Sequence, residues 1–278
     1  MRMRNIRCGA RSTLAAIAFC NLLSVMVCSA QLSILPRFIF FENNRKSMPV
    51  TISNPTDAEL EIWSAAALGY VTSDDTGRSI VVYDSTDATI PSATRWVTFY
   101  PVRFLLPPRE SQIVRLTVTP PPGTPDGEYW ARLIFASKPS VGKQRKGSTM
   151  TLIQRAGVPL HYRIGKVSTG LDVRDLKANS DAHQILLTAS ASRTGNASYW
   201  GSATARLLNH DGVVVSSSRR NLAIYRKYVV RMTVDRAKVP AGAYTIEVKF
   251  ETAHHDQVAD ETVIQAAPII LRTDVTLQ

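Results

Sequence analysis

The predicted mature part of this sequence has no cysteine. All three cysteines lie within the first thirty residues, at Cys8, Cys20 and Cys28. That segment has a basic start, an apolar stretch and a small-residue Cys-Ser-Ala site before Gln31, which together indicate a cleavable signal peptide. We therefore predict that residues 1–30 are removed. The absence of cysteine from the exported chain excludes disulfides, thiol chemistry and cysteine-based metal sites.

The charge pattern of a nucleic-acid-binding protein is also missing. The chain has 33 Lys and Arg, and loss of the four signal-peptide arginines leaves 29 against 22 Asp and Glu, a net charge of +7. These basic residues are dispersed, and the densest cluster, from Lys138 to Lys146, has no interleaved aromatic residue to stack on a base. We expect a solvated basic surface and no nucleic-acid partner.

The sequence contains no pattern that predicts an enzyme or a metal site. His254 and His255 are adjacent, would point to opposite faces of a strand, and are expected at a hairpin tip. His161 lies among apolar residues, as expected for a packed strand residue, and no Gly-x-Ser-x-Gly nucleophile motif occurs. We predict no catalytic residue, no metal, no cofactor and no small-molecule substrate.

What the sequence does contain is a repeated strand pattern. Residues 114–118 (Val-Arg-Leu-Thr-Val) and 230–234 (Val-Arg-Met-Thr-Val) alternate between apolar and polar, and each is followed by a Pro-x-Gly-x-Tyr turn that ends at Tyr129 or Tyr244. The alternation buries one face of a sheet, and a Tyr that opens the next strand can bond back to the loop. Two copies about 115 residues apart predict two similar domains.

Helix signals are scarce along the rest of the chain. Short runs of β-branched and aromatic residues recur, separated by turns rich in Asn, Asp, Pro and Gly. The sequence therefore predicts an all-β protein with two tandem immunoglobulin-like β-sandwich domains, residues 31–165 and 166–278. The first domain is expected to have seven or eight strands, and the pair Asp211-Gly212 predicts a hairpin in the second.

Several longer motifs are more specific. Residues 37–54 place an Arg before a short strand, a turn and a Lys-Ser-Met-Pro-Val-Thr-Ile-Ser-Asn strand. Phe-Leu-Leu-Pro-Pro-Arg-Glu-Ser begins at Phe104, Thr-Pro-Asp-Gly-Glu-Tyr-Trp at Thr124, and Pro-Leu-His-Tyr-Arg at Pro159. Across residues 37–163 these motifs resemble the PapD-like family of periplasmic pilus-assembly chaperones. The second domain resembles that family only in being another immunoglobulin-like sandwich.

The resemblance implies a periplasmic chaperone or accessory factor for the assembly of fimbria-like or pilus-like surface subunits. In that family an Arg and a Lys in the cleft between two domains bind the C-terminal carboxylate of a subunit, while an exposed strand lends alternate side chains to its open groove. The implied partners are secreted pilin-like subunits and, beyond them, an outer-membrane usher. The competing interpretation is a secreted adhesion or cell-envelope structural or binding module that donates no strand.

Some site residues follow from the resemblance by position. Arg37 matches the family's carboxylate-binding Arg. Counting back from the motif at Pro159, the alternate positions of the donor strand are Met150, Leu152 and Gln154. The resemblance therefore implies two apolar side chains and one polar side chain in the donated strand.

The sequence departs from the family at Pro159, which occupies the position of the second cation. A prolyl ring carries neither a charge nor an N–H group. Arg155, Arg163 and Lys166 are the alternative cations nearby, and spacing selects none of them.

Overall fold

The computed structural model describes residues 32–42, 45–83, 87–140, 152–253 and 255–278. This part of the chain is built from β-strands, and its helical segments are two 3₁₀ turns, Thr94–Trp96 and Asp260–Thr262. Within the described residues no helix has the length and apolar character needed to cross a membrane. The predicted all-β fold class is confirmed.

Two sheets form the first immunoglobulin-like sandwich. One sheet has the strand order β1-β3-β9-β7 and the other β2-β11-β10-β4-β8, while β5 and β6 form a separate hairpin. The pairing of β2 with β11 is parallel, whereas the other pairings are antiparallel. The strands are β1 (Ser33–Leu35), β2 (Ile39–Phe41), β3 (Ser47–Ser53), β4 (Leu60–Ala67), β5 (Tyr70–Ser73), β6 (Ser79–Val82), β7 (Val97–Tyr100), β8 (Arg103–Leu106), β9 (Ser111–Val118), β10 (Gly127–Pro139) and β11 (Gln154–Ile164).

The core of this sandwich lies between the inward faces of its two sheets. On β9, Val114 and Leu116 are fully buried, whereas Ile113, which precedes Val114, faces outward and is exposed. Leu133 and Phe135 of β10 fill the same core from the opposite sheet. Burial of each such side chain contributes about 1.5 to 3 kcal/mol, so period-2 alternation is the main stabilising pattern of the domain.

The expected count of seven or eight strands was too low. The chain leaves the first sheet after β1, passes Pro36 and joins the second sheet as β2, so that the stretch before residue 42 contains two strands. The hairpin of β5 and β6 adds two strands outside both sheets.

The second sandwich repeats the plan with longer strands. Its sheets have the orders β12-β13-β16 and β15-β14-β17-β18. The pair Asp211-Gly212 lies in the tight turn between β14 and β15, as predicted, and Gly212 has a φ of 76° that favours glycine. The strands are β12 (Thr169–Ser180), β13 (Gln184–Gly195), β14 (Tyr199–Leu208), β15 (Val214–Ile224), β16 (Lys227–Asp235), β17 (Gly242–Glu251) and β18 (Ile269–Leu277).

The repeated Pro-x-Gly-x-Tyr motif has the same hydrogen bond in both domains. The Tyr129 hydroxyl donates to the carbonyl oxygen of Pro125 at 2.9 Å, and the Tyr244 hydroxyl donates to that of Pro240 at 3.0 Å. The predicted bond from the strand back to the loop is therefore confirmed in each copy.

The hairpin of β5 and β6 extends from the first domain onto the second. Its Thr72 hydroxyl donates to the carbonyl oxygen of Lys227 at 2.9 Å, and the N–H of Val229 donates to the Ser73 hydroxyl oxygen at 2.6 Å. Both second-domain partners lie on β16, the edge strand of its sheet. The hairpin thus covers an open sheet edge and ties the two domains together.

Candidate functional site: the cleft between the domains

A buried polar network joins the domains next to the cleft. The Glu128 carboxylate accepts hydrogen bonds from the Arg163 Nε–H at 2.9 Å and from the backbone N–H of Ser198 at 3.1 Å. Its Oε1 also lies 3.1 Å from His161 Nδ1, and His161 Nε2 lies 3.1 Å from the hydroxyl of Tyr225. Glu128, His161 and Arg163 belong to the first sandwich and Ser198 and Tyr225 to the second, so the network sets how the domains meet.

The charges around Glu128 stabilise its ionised form. Burial alone would raise the pKa of this fully buried carboxyl group, but the neighbouring His161 and Arg163 and a hydrogen bond from the Ser198 hydroxyl outweigh burial and hold the pKa below its ordinary value. A buried carboxylate persists when it is paired and hydrogen-bonded in this way. Glu128 is therefore a negatively charged anchor between the domains.

Aromatic rings pack around this network and make the floor of the cleft rigid. The rings of Trp130 and Tyr225 meet edge to face with their centroids 4.9 Å apart, across the domain boundary. Phe38 packs edge to face on Trp200 at 5.3 Å, again across the boundary. These contacts belong to a third apolar cluster, separate from the two domain cores.

The cleft is a cavity of about 350 Å³ with a cationic rim. The first domain lines it with Arg37, Arg132, Gly157 and Pro159, among others. No Asp or Glu is among the described residues that line it. A cleft with two guanidinium groups and no carboxylate is suited to an anionic ligand. The second domain lines it mainly with residues of β15, β16 and the turn between them, including Asn221, Leu222, Ala223, Tyr225 and Tyr228.

Arg37 stands at the mouth of this cleft, where the resemblance predicted a carboxylate-binding cation. It lies between β1 and β2, is exposed, and forms no ion pair with the described residues. The next residue, Phe38, is held against Trp200, which fixes the backbone that carries Arg37. Its role as a ligand-binding residue stays a prediction.

Arg132 is a cation of the cleft that the sequence interpretation missed. It lies on β10 directly opposite Pro159 of β11. Its Nη2 group donates to the carbonyl oxygen of Gly157 at 3.3 Å, and its buried Nε–H finds no acceptor among the described residues. A signal was present in the sequence, because alternation places Arg132 with Trp130 on the face opposite to the apolar Leu133 and Phe135.

The three alternative cations named from the sequence do not line this cavity in the described structure. One of them, Arg163, already forms ion pairs within the protein. Arg163 is buried and pairs with Glu128 and with Glu42, the latter at 2.8 Å. Arg155 and Lys166 are exposed. None of the three is among the residues that line the cleft.

Among the described residues, strand β11 reaches the cleft with one side unpaired. Its residues 154–159 pair with β10, but its pairing with β2 on the other side begins only at Leu160. Of the predicted donor positions, Met150 lies outside the described residues, Leu152 is 62% exposed just before the strand, and Gln154 is its first residue. Their role in strand donation stays a prediction.

His255 is not on an exposed hairpin tip, as the sequence had suggested. Its side chain is buried, and its ring packs edge to face on Trp200 with the centroids 5.2 Å apart. Burial lowers the pKa of His255, so the neutral ring is favoured there. His254 lies outside the described residues, and within those residues no group of three or more His, Cys, Asp or Glu could hold a metal ion.

The fold and the cleft define this molecule as a two-domain immunoglobulin-like β-sandwich protein with a cavity between its domains. No protein-family model matches the chain, and no curated protein matches it in sequence. Solved structures to which the chain is similar include chaperones and complexes that contain one.

Three of these structures illustrate the similarity. A chain of the CsuC–CsuE complex of a chaperone and a tip adhesion subunit, from the Csu pili of Acinetobacter baumannii, is 15% identical, with coverage of 87% of this chain and 98% of that chain and a TM-score of 0.43. The YadV chaperone is 12% identical, with coverage of 88% and 99% and a TM-score of 0.44. The CupB2 chaperone of Pseudomonas aeruginosa is 13% identical, with coverage of 88% and 100% and a TM-score of 0.43. At these identities the similarity is one of fold.

Proposed function

We propose that this protein is a periplasmic chaperone for fimbria-like or pilus-like surface subunits, which it caps by donating strand β11. The observation that carries the proposal is the one-sided pairing of residues 154–159. That open edge runs into a cleft whose two arginines, Arg37 and Arg132, have no carboxylate partner among the described residues.

An open strand edge is the element that β-augmentation requires. It presents unpaired backbone N–H and C=O groups to a partner strand, which gains main-chain hydrogen bonds by pairing there. Ala156 and Val158 point toward the core of the first domain, and by alternation Gln154 shares their face. A subunit strand on this edge would therefore place its own core next to Leu152, Gln154 and Ala156.

The cleft explains how the partner's register would be set. A subunit that ends at the cleft brings a terminal carboxylate to Arg37, which can donate charge-assisted hydrogen bonds to it. Anchoring one end of an extended segment determines which residues meet the donor positions, because a shift of one residue turns every side chain to the opposite face. The cleft supplies the anchor and β11 supplies the pairing surface.

The test begins with capture of a small secreted β-rich subunit from envelope extract by the exported protein, followed by its identification by mass spectrometry. That subunit is then prepared with its natural C-terminal carboxylate and with a C-terminal carboxamide, and both forms are titrated against the chaperone. We expect the carboxamide, or the substitution Arg37→Gln, to weaken binding by on the order of tenfold or more, since a charged hydrogen bond is lost.

Arg115→Gln is the matched control, because Arg115 is an exposed arginine on β9 in the other sheet of the same domain. It should bind the subunit as the natural protein does. Equal binding of acid and amide forms together with no effect of Arg37→Gln would refute the proposal, as would the absence of any such subunit. Either result would favour an adhesion or envelope module instead.

A further inference from the structure

The geometry points to Arg132 as the second cation of the cleft, held in position by the absence of a side chain at Gly157. We infer that Arg132 and Arg37 together bind the terminal carboxylate of the partner. This inference rests on the proposed function. It adds that Arg132 supplies the second positive charge of the cleft, which Pro159 cannot supply.

The strand register places Arg132 where a cation is needed. Arg132 and Pro159 are direct partners in the antiparallel pairing of β10 and β11. Directly opposite residues of such a pair project from the same face, with their Cβ atoms about 4.5 to 5.5 Å apart. A cation at Arg132 therefore projects beside Pro159, one strand further from the open edge, and both residues line the same cavity.

Gly157 provides the space for the guanidinium group. A Cβ atom at this position would lie 2.5 Å from Arg132 Nε and 3.3 Å from both Cδ and Cζ. The φ of Gly157 is not positive, so the backbone alone does not require glycine. What requires glycine is the side chain of Arg132, which crosses over Gly157 and donates to its carbonyl oxygen.

A second glycine accommodates the stem of the same side chain. A Cβ atom at Gly69 would lie 3.2 Å from Arg132 Cδ and 3.0 Å from the ring of Tyr83. The side chain of Arg132 is thus flanked by two close backbone approaches, of which the one at Gly157 leaves no room for a Cβ atom. A confined guanidinium loses less rotational freedom on binding a ligand than an exposed one does.

Arg132 has bonding capacity that the described chain leaves unused. It is half-buried, forms no ion pair with a described Asp or Glu, and its buried Nε–H has no acceptor there. A partly buried cation without a counter-charge is costly, and an unpaired buried donor calls for a partner. A carboxylate between Arg37 and Arg132 would supply the negative charge.

Two guanidinium groups are also chemically different from a guanidinium and an ammonium group. Each presents a planar fork of N–H donors that matches the two oxygens of a carboxylate. We therefore expect the cleft to discriminate a carboxylate from a neutral amide of the same size.

The experiment uses the exported protein labelled with ¹⁵N and titrated with N-acetylglycine, a small mimic of a C-terminal residue, or with N-acetylglycinamide. The arginine Nε–H resonances are followed by NMR. We expect the resonances of Arg37 and Arg132 to shift with the acid and not with the amide. Arg132→Gln should weaken acid binding by on the order of tenfold, and Arg132→Lys should retain part of it.

Gly157→Ala provides a second route, because it displaces the guanidinium while leaving every charge in place. It should weaken the binding of N-acetylglycine severalfold. The urea midpoint should not fall as it does for a core substitution, because the displaced atoms belong to a flexible side chain. Arg155→Gln is the matched control on the same strand, and its acid binding should equal that of the natural protein.

Three outcomes separate the inference from the proposed function. Acid-specific shifts at both arginines, lost in Arg132→Gln and reduced in Gly157→Ala, support the inference. Acid-specific binding that needs Arg37 and is unchanged in Arg132→Gln overturns the inference and leaves the proposed function standing. No difference between acid and amide overturns carboxylate anchoring itself.

Discussion

The backbone N–H of Ser198 in the second domain donates a 3.1 Å hydrogen bond to the carboxylate of Glu128 in the first. Both residues are buried, and Glu128 is paired at the same time with Arg163 on the neighbouring strand. One carboxylate therefore satisfies groups from both domains, and the cleft is shaped by where those domains meet.

Glu128→Gln should destabilise the protein strongly. The amide keeps the shape of the side chain but removes the negative charge that faces Arg163, and loss of one partner of a buried ion pair costs about 3 kcal/mol. Urea denaturation at neutral pH measures this free energy of unfolding. Asp57→Asn is the control, because it breaks the exposed pair with Arg109 and should have no measurable effect. Equal effects of the two substitutions would contradict this account of Glu128.

Acid should weaken the folded state through the same carboxylate. The pKa of Glu128 lies below its ordinary value of 4.5, because its charged and hydrogen-bonding neighbours outweigh the effect of burial. The unfolded chain therefore binds more protons than the folded one below that value. The stability from Glu128 is complete above pH 4.5 and is lost as the pH falls below it.

Urea denaturation in a series from about pH 7 down to about pH 3 tests this sign. The free energy of unfolding should fall on the acid side, and Glu128→Gln should flatten part of that slope. An identical slope in the two proteins would show that other groups cause the acid sensitivity.

Gly77→Ala should loosen the hairpin that crosses to the second domain. Gly77 has a φ of 78°, and a Cβ atom there would lie 2.6 Å from the Cβ of Arg231 on β16. Gly212→Ala is a close control, because Gly212 has a φ of 76° with nothing within 4 Å of the added atom. Backbone strain alone costs about 1 to 2 kcal/mol in both, so the difference between them reports the clash.

Hydrogen exchange locates that difference. Amide exchange across residues 70–82 should rise in Gly77→Ala and stay unchanged in Gly212→Ala. A rise in both variants, or in neither, would mean that the hairpin does not depend on close contact with β16.

Leu152→Ser should weaken subunit capture without changing stability. Leu152 is 62% exposed, so folding gains little from it, yet by alternation it continues the row of Gln154 and Ala156 toward the partner. Ile153→Ser is the matched control, since Ile153 is 47% exposed and points to the opposite face. Titration of the captured subunit should show weaker binding for Leu152→Ser than for Ile153→Ser. Equal affinities would argue against donation of this row.

Local sequence patterns predicted most of the fold. Alternation predicted the strands, and the Pro-x-Gly-x-Tyr motif predicted hydrogen bonds that the structure has in both domains, at Tyr129 and Tyr244. These features depend on residues four positions apart, which a sequence displays directly. The hairpin from residue 70 to 82 was different, because its contacts with β16 join residues about 155 positions apart.

The cleft shows the same limit. Arg37 was found because it opens a recognisable motif, whereas Arg132 was missed because its importance arises from its register opposite Pro159. That register depends on the exact pairing of β10 with β11, across residues 141–151, and spacing along the chain does not reveal it. Glu128 was missed for a related reason, since its partners Arg163 and Ser198 are 35 and 70 positions away.

The placement of Trp130 and Trp200 has an optical consequence. These two indoles lie in one buried cluster but belong to different domains, and Tyr225 contacts both rings, with centroid distances of 4.9 Å and 6.3 Å. Any motion that parts the domains brings both indoles into contact with water and shifts their emission to longer wavelength. The intrinsic tryptophan emission therefore reports separation of the two domains and can be followed during a binding titration without an added label.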